Sequence, residues 1–174
     1  MAKSAATPEI ANSDVSVLAA AASLRDDSGL RASLGLVRQL GKYTLRRSIG
    51  RGGFGEVFLA IDDSTWNLVA VKTLSAHRRA DAAARARFEL EIRIGTELRH
   101  PNILPVIDHA LGEVPHFATP LIDGPNLLHL LGKRPMPVPD AVALLRPVAE
   151  AVHLAHTHGY LHRDLKPANI GVEK

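Results

Sequence analysis

A chain of 174 residues with 46% hydrophobic content is long enough to bury a core as one modest domain. It carries no cysteine, which excludes disulfides and thiolate metal sites and suits a reducing compartment, so a soluble cytoplasmic protein is expected. The net charge of +3 is spread along the chain and reads as a solvated surface, not a nucleic-acid footprint, and no apolar run approaches the roughly 18 residues that span a membrane.

Residues 1–41 are rich in Ala, Ser, Gly and Leu. Ser13 or Asp14 can cap a helix to about Arg25, and Ser28 can start another to about Leu40. The segment is expected to be a partly helical or disordered leader. Its apolar stretch at 15–24 looks like a signal-peptide core, but Glu9 and Asp14 precede it, so no secretory signal is assigned.

From Tyr43 the pattern changes to period two. Tyr43, Leu45 and, after Arg47, Ile49 are placed on one face of a strand, and Val57, Leu59 and Ile61 alternate in a second. A turn at 62–65 leads to a third strand at 67–72. The glycine-rich stretch from Gly50 to Val57 therefore bridges two strands. A dinucleotide-binding G-x-G-x-x-G would instead open a helix, which argues against an oxidoreductase of that type. Glycines at 50, 52 and 55 let a hairpin flap approach phosphates closely. Alternation in 69–72 puts Ala70 and Lys72 on one face, a small residue beside a cation.

Residues 81–98 read as a helix with Asp81 at its N-cap. Phe88, Glu91, Ile92 and Gly95 share one face, so Glu91 sits in an apolar stripe and needs a partner, which Lys72 or Arg87 could supply. Extended segments are expected at 103–107 and 114–122, then a short helix at 126–131 capped by Asn126. A longer helix starts near Pro139 or Asp140, with an apolar stripe of Ala141, Leu144, Leu145, Val148, Val152 and Ala155 and with Pro147 in its interior. His153, His156 and His158 do not share one face and read as helix-end residues, not metal ligands.

The most informative stretch is His162-Arg163-Asp164-Leu165-Lys166-Pro167-Ala168-Asn169. Pro167 keeps Lys166 out of the α region, so these side chains sit on a loop. A base, a phosphate-binding cation and an oxygen ligand for a hard metal suit phosphoryl transfer.

The stretch resembles the catalytic loop H-R-D-L-x-x-x-N of the eukaryotic-type (bacterial-like) serine/threonine protein kinases. The flap resembles their G-x-G-x-x-G-x-V loop, and Val69-Ala70-Val71-Lys72 their V-A-I-K strand. The resemblance implies an α+β fold: an antiparallel sheet lobe with one regulatory helix over about 43–122, a hinge, and the first helices of a helical lobe over 123–174. It implies ATP and Mg2+ as cofactors and a protein Ser/Thr hydroxyl as acceptor. Asp164 would accept the hydroxyl proton, Lys166 would neutralise the moving phosphoryl group, and Asn169 would hold a magnesium ion. Nucleotide contacts would come from Ile49, Gly50, Arg51, Gly52, Gly53, Phe54, Gly55 and Val57, from Ala70, and from Lys72 paired with Glu91. At the hinge they would come from Thr119 behind the adenine, the Pro120 carbonyl and the Ile122 amide. His162 would brace the loop, and Arg163 would meet a phosphorylated activation loop. Five residues follow Asn169, with no Asp-Phe-Gly among them. The chain therefore reads as a kinase domain cut short after the catalytic loop and inactive by itself; the alternative is a non-catalytic nucleotide-binding fragment that acts through a partner.

Overall fold

The computed structural model describes residues 38–132 and 135–173. The leader helices expected within residues 1–37 lie outside the described residues. The last three residues of the second one form a strand instead. Strand β1 (Arg38–Leu40) turns at Gly41, whose φ is +58°, and pairs antiparallel with β2 (Tyr43–Arg51). Arg-Gln-Leu has no alternation that would announce a strand; the glycine turn and the partner strand create it.

Strands β3 (Gly55–Asp62), β4 (Leu68–Leu74), β5 (Asp108–Ala110) and β6 (His116–Pro120) complete one antiparallel sheet in the order β1-β2-β3-β4-β6-β5. The sheet curls: the Tyr43 hydroxyl near one edge donates to Asp108 on the other at 2.7 Å, and Lys42 bridges Asp108 and Asp62 at 3.1 and 3.3 Å. Tyr43, Leu45, Ala60, Val69, Val71 and Ala118 fill the inside of the curl. On the opposite face Leu74 and Phe117 pack with Ala84, Phe88 and Ile92 of helix α1 (Ala82–Glu97). Asp81 caps that helix as expected, accepting from the amides of Ala83 and Ala84. Gly95 lies so close to Val106 that a Cβ would sit 2.5 Å from its Cγ2, which explains a glycine inside a helix.

Three expectations change. Ile49 does not share a face with Tyr43 and Leu45: irregularities between Leu45 and Arg47 and between Ser48 and Gly50 carry it to the other side, beside Val57 and Ala70. Residues 103–107 are not a strand. The Val106 amide turns back to the Gly95 carbonyl and the Ile107 amide to that of Ala118, so the ladder begins at Asp108. The strand expected at 114–122 is confined to His116–Pro120.

Helix α2 (Leu127–Leu131) is capped by Asn126, whose side chain accepts from the His129 amide at 2.8 Å. Helix α3 (Val138–Thr157) runs through Pro147. The carbonyl that loses its donor belongs to Ala143, an exposed residue. Only Ala151 of α3 is buried, while Val138, Val142 and Leu145 are 74%, 61% and 46% exposed. Among the described residues no helix is long and apolar enough to cross a membrane.

Candidate active site

The regular register of β3 on β4 pairs Val57 with Lys72 and Leu59 with Ala70, and that of β4 on β6 pairs Ala70 with Thr119 and Lys72 with Phe117. Directly paired residues share a sheet face, so Val57, Ala70, Lys72 and Thr119 stand together. Ile49 and Leu121 pack onto Val57 and Ala70. Leu121 was not among the expected contacts, although alternation from Thr119 puts it on the same face. Ile122 is buried, but its side chain meets the chain beyond the catalytic loop: a Cβ on Gly171 would lie 2.7 Å from its Cδ1.

The glycine flap is a hairpin, closed by the Gly52 amide donating to the Gly55 carbonyl at 2.9 Å and by an Arg51–Glu56 ion pair at 2.8 Å. Gly55 has no room for a side chain, because a Cβ would collide with the Thr73 carbonyl. Phe54, at the tip, does not join Ile49 and Val57; it packs towards α1.

Lys72 is 2% exposed, and its ammonium lies 2.8 Å from both carboxylate oxygens of Glu91. Burial of a lysine demands such a partner, and the helical stripe presents Glu91 one residue before the buried Ile92. Lys72, and not Arg87, is therefore the partner of Glu91, as the family resemblance implied. Thr119 Oγ1 is the one buried side-chain polar atom without a hydrogen-bond partner among the described residues. It lies on the face that carries Ala70 and Lys72, where a ligand with polar edges would satisfy it.

Residues 162–169 form the expected loop. Lys166 is extended (φ −153°, ψ 159°), and Pro167–Asn169 make a single 3-10 turn. Arg163 has a φ of +56°, an uncommon conformation for a non-glycine residue and one seen at functional turns. Lys166 donates to both Asp164 oxygens at 3.0 and 2.9 Å, and buried Asn169 donates to the Asp164 carbonyl at 2.8 Å and to Oδ2 at 3.1 Å. The Lys166 ammonium holds the Asp164 carboxyl below the usual carboxylate range against the opposing effect of burial, and Asn169 adds to the shift. Burial pushes the His162 imidazole below its ordinary value, partly countered by the Asp164 charge. A neutral ring suits its contact, since Nδ1 accepts from the Asp164 amide at 3.3 Å.

The chain then returns to the segment between the lobes. Leu127 donates its amide to the Ile170 carbonyl at 2.8 Å, Val172 to that of Pro125 at 2.9 Å, and Asn126 bridges Gly171. A Cβ on Gly124 would collide with the Val172 carbonyl. The chain just after the catalytic loop and the segment following β6 are thus tied through backbone bonds, which sequence spacing could not show.

A protein kinase domain model matches residues 43–174. The chain is 38% identical over 136 residues to the serine/threonine-protein kinase PknE of Mycobacterium tuberculosis, covering 76% of this chain and 24% of that protein. It is 39% identical over 134 residues to PknD of the same organism, covering 76% and 20%. The chain thus spans about a quarter or less of the length of these curated relatives. The crystal structure of the Mycobacterium tuberculosis PknI kinase domain superposes with a TM-score of 0.67 at 31% identity, covering 81% of this chain and 59% of that one. The sheet, the ion pair and the catalytic-loop sequence agree with these likenesses: this chain belongs to the protein kinase domain family and is of the bacterial serine/threonine type.

Proposed function

We propose that this chain supplies the nucleotide-binding lobe and catalytic loop of a serine/threonine protein kinase, which transfers the γ-phosphate of ATP to a protein hydroxyl. The observation that carries the reading is the Lys72–Glu91 pair, a fixed cation on the face that also carries Ala70 and Thr119. Ala70 and Val57 leave an apolar slot for an adenine, with Ile49 and Leu121 along it and Thr119 behind. The Pro120 carbonyl and Ile122 amide are the backbone groups that would face the adenine edge. The flap from Gly50 to Gly55 brings backbone close to the phosphates, and Lys72 binds them.

Asp164 is ionised and held by Lys166 and Asn169, so it can orient a substrate hydroxyl and accept its proton. Lys166 already touches that carboxylate and would neutralise charge on the transferring group. Magnesium fits the donor set: Asn169 offers an amide oxygen, and this ion commonly takes one or two protein ligands beside phosphate and water. When bound, magnesium shields the phosphate charges. No cluster of three His, Asp or Glu side chains suited to a metal occurs among the described residues. We place the domain in the cytoplasm, in keeping with its cysteine-free composition.

The test is titration of a fluorescent ATP analogue with magnesium into the 174-residue protein. Saturable binding is expected, competed by ATP and lost in Ala70→Leu, whose side chain fills the slot. A folded wild-type protein that does not bind the analogue would overturn the reading. Phosphotransfer by this polypeptide alone is expected to be negligible, since one amide ligand supplies little of the charge stabilisation on which the reaction depends. Turnover abolished by Asp164→Ala would contradict that expectation.

A further inference from the structure

The tip of the glycine flap is gripped from the side of α1, by side-chain contacts that the phosphotransfer reading does not use. Phe54 packs against the cluster of Leu74, Ala84 and Phe88. Two guanidinium groups stack on its ring, with Cζ of Arg78 4.3 Å and Cζ of Arg87 5.4 Å from the centroid. Arg78 also donates from Nε to the Gly53 carbonyl at 2.8 Å, and the Ser75 amide donates to the Phe54 carbonyl at 3.0 Å. Arg87 stands one helical turn before Glu91 on α1, and Arg78 ends the short turn Ala76–Arg78 between β4 and α1.

We propose that Phe54, Arg78 and Arg87 form a clamp that couples the glycine flap to helix α1, so that ordering the flap and seating Glu91 on Lys72 are one event. These are positioning residues. A flap of glycines has the most backbone freedom to lose, and anchoring its tip removes that loss before a ligand arrives. Because part of the anchor, Arg87 with Ala84 and Phe88, is on α1, displacing the helix would loosen the flap, and freeing the flap would loosen the turn of helix that carries Glu91. The effect on nucleotide affinity rests on the reading given above; the coupling itself does not.

Hydrogen exchange on the whole 174-residue protein separates the two. Phe54→Leu keeps an apolar side chain but has no ring face, and Arg78→Lys with Arg87→Lys keeps both charges but loses the planar stack and the Nε bond. Either change is expected to speed exchange of the amides at 52–55 and 87–91 by roughly fivefold to tenfold, the size of two lost ring contacts in the first variant and of the lost planar packing and Nε bond in the second. Exchange at Ala60 and Val71 should not change. Phe54→Tyr, which keeps the ring face, should leave exchange at 52–55 and 87–91 at the wild-type rate. Affinity for the ATP analogue should fall about threefold in the loosened variants. Unchanged flap exchange in Phe54→Leu and in the double-lysine variant would overturn the clamp, and faster flap exchange with no change at 87–91 would overturn the coupling. If wild type binds no nucleotide, the phosphotransfer reading fails while the exchange data still decide the clamp. The double-lysine variant substitutes outside the buried core, so it remains informative if Phe54→Leu does not fold.

Discussion

The sheet lobe and the helical segment after it hold their functional residues in different ways. In the sheet lobe Lys72 and Ala70 lie on a central strand, and buried clusters on both faces fix them. In the helical segment α3 buries only Ala151, and Asp164 is held by local polar bonds and by backbone pairing of 170–172 with 125–127. One half of the candidate site is therefore a product of hydrophobic packing, and the other of hydrogen bonding. Stability and chemistry should respond separately to changes in each.

The largest contrast should come from apolar truncation. Phe117→Ala empties a position that is 2% exposed in the sheet–helix cluster and should cost about 3–5 kcal/mol in a urea-unfolding measurement. Val142→Ala on α3 should change stability by less than about 0.5 kcal/mol, since the side chain is 61% exposed. Equal losses would erase the distinction between the two regions.

Charge removal gives a smaller contrast of the same sign. Glu91→Gln takes the carboxylate from a buried ammonium and should destabilise by about 3 kcal/mol. Asp164→Asn acts where Lys166 is half exposed and should cost under about 1 kcal/mol of stability, while removing the proposed base. A strongly destabilised Asp164→Asn would mean that the loop is part of the folding core.

The smallest effect is that of pH, and above the carboxylate range, where Asp62 and Asp108 of the sheet stay ionised, it should be confined to the loop. His162 and Asp164 both have folded values below their unfolded ones. For both groups the unfolded chain binds protons first as pH falls, so their stabilising contribution is complete at high pH and is lost on acidification. The loss should begin just below the ordinary histidine value of 6.5 and continue below the ordinary aspartate value of 3.8. Amide exchange at 162–169 should rise through the first window while the sheet is unaffected, and His162→Asn should abolish that first step.

Much of the site was legible because it is local. The catalytic loop is contiguous, Pro167 dictates its extended entry, and alternation alone puts Ala70 and Lys72 on one face. The helical stripe containing Glu91 is visible in residue spacing, but spacing alone does not separate Lys72 from Arg87 as its partner: the family resemblance pointed to Lys72, and the packing of α1 on β4 brings the two together. The face of Ile49 was misjudged because bulges depend on how β2 meets β3. Strand β1 was missed because Arg-Gln-Leu is extended only through its pairing with β2.

Residue order alone carries the glycine flap, the strand lysine and the Asp-Lys-Asn loop, with the turn and cap residues that place each on a hairpin, a strand or a loop. These follow from backbone preferences and side-chain period, which act over a few residues. The tertiary structure decided which groups meet: Lys72 with Glu91, Phe54 with Arg78 and Arg87, and the end of the catalytic loop with the segment after Thr119. Those contacts join positions far apart in the chain, and burial, sheet curl and close glycine packing select them only when the whole lobe is assembled.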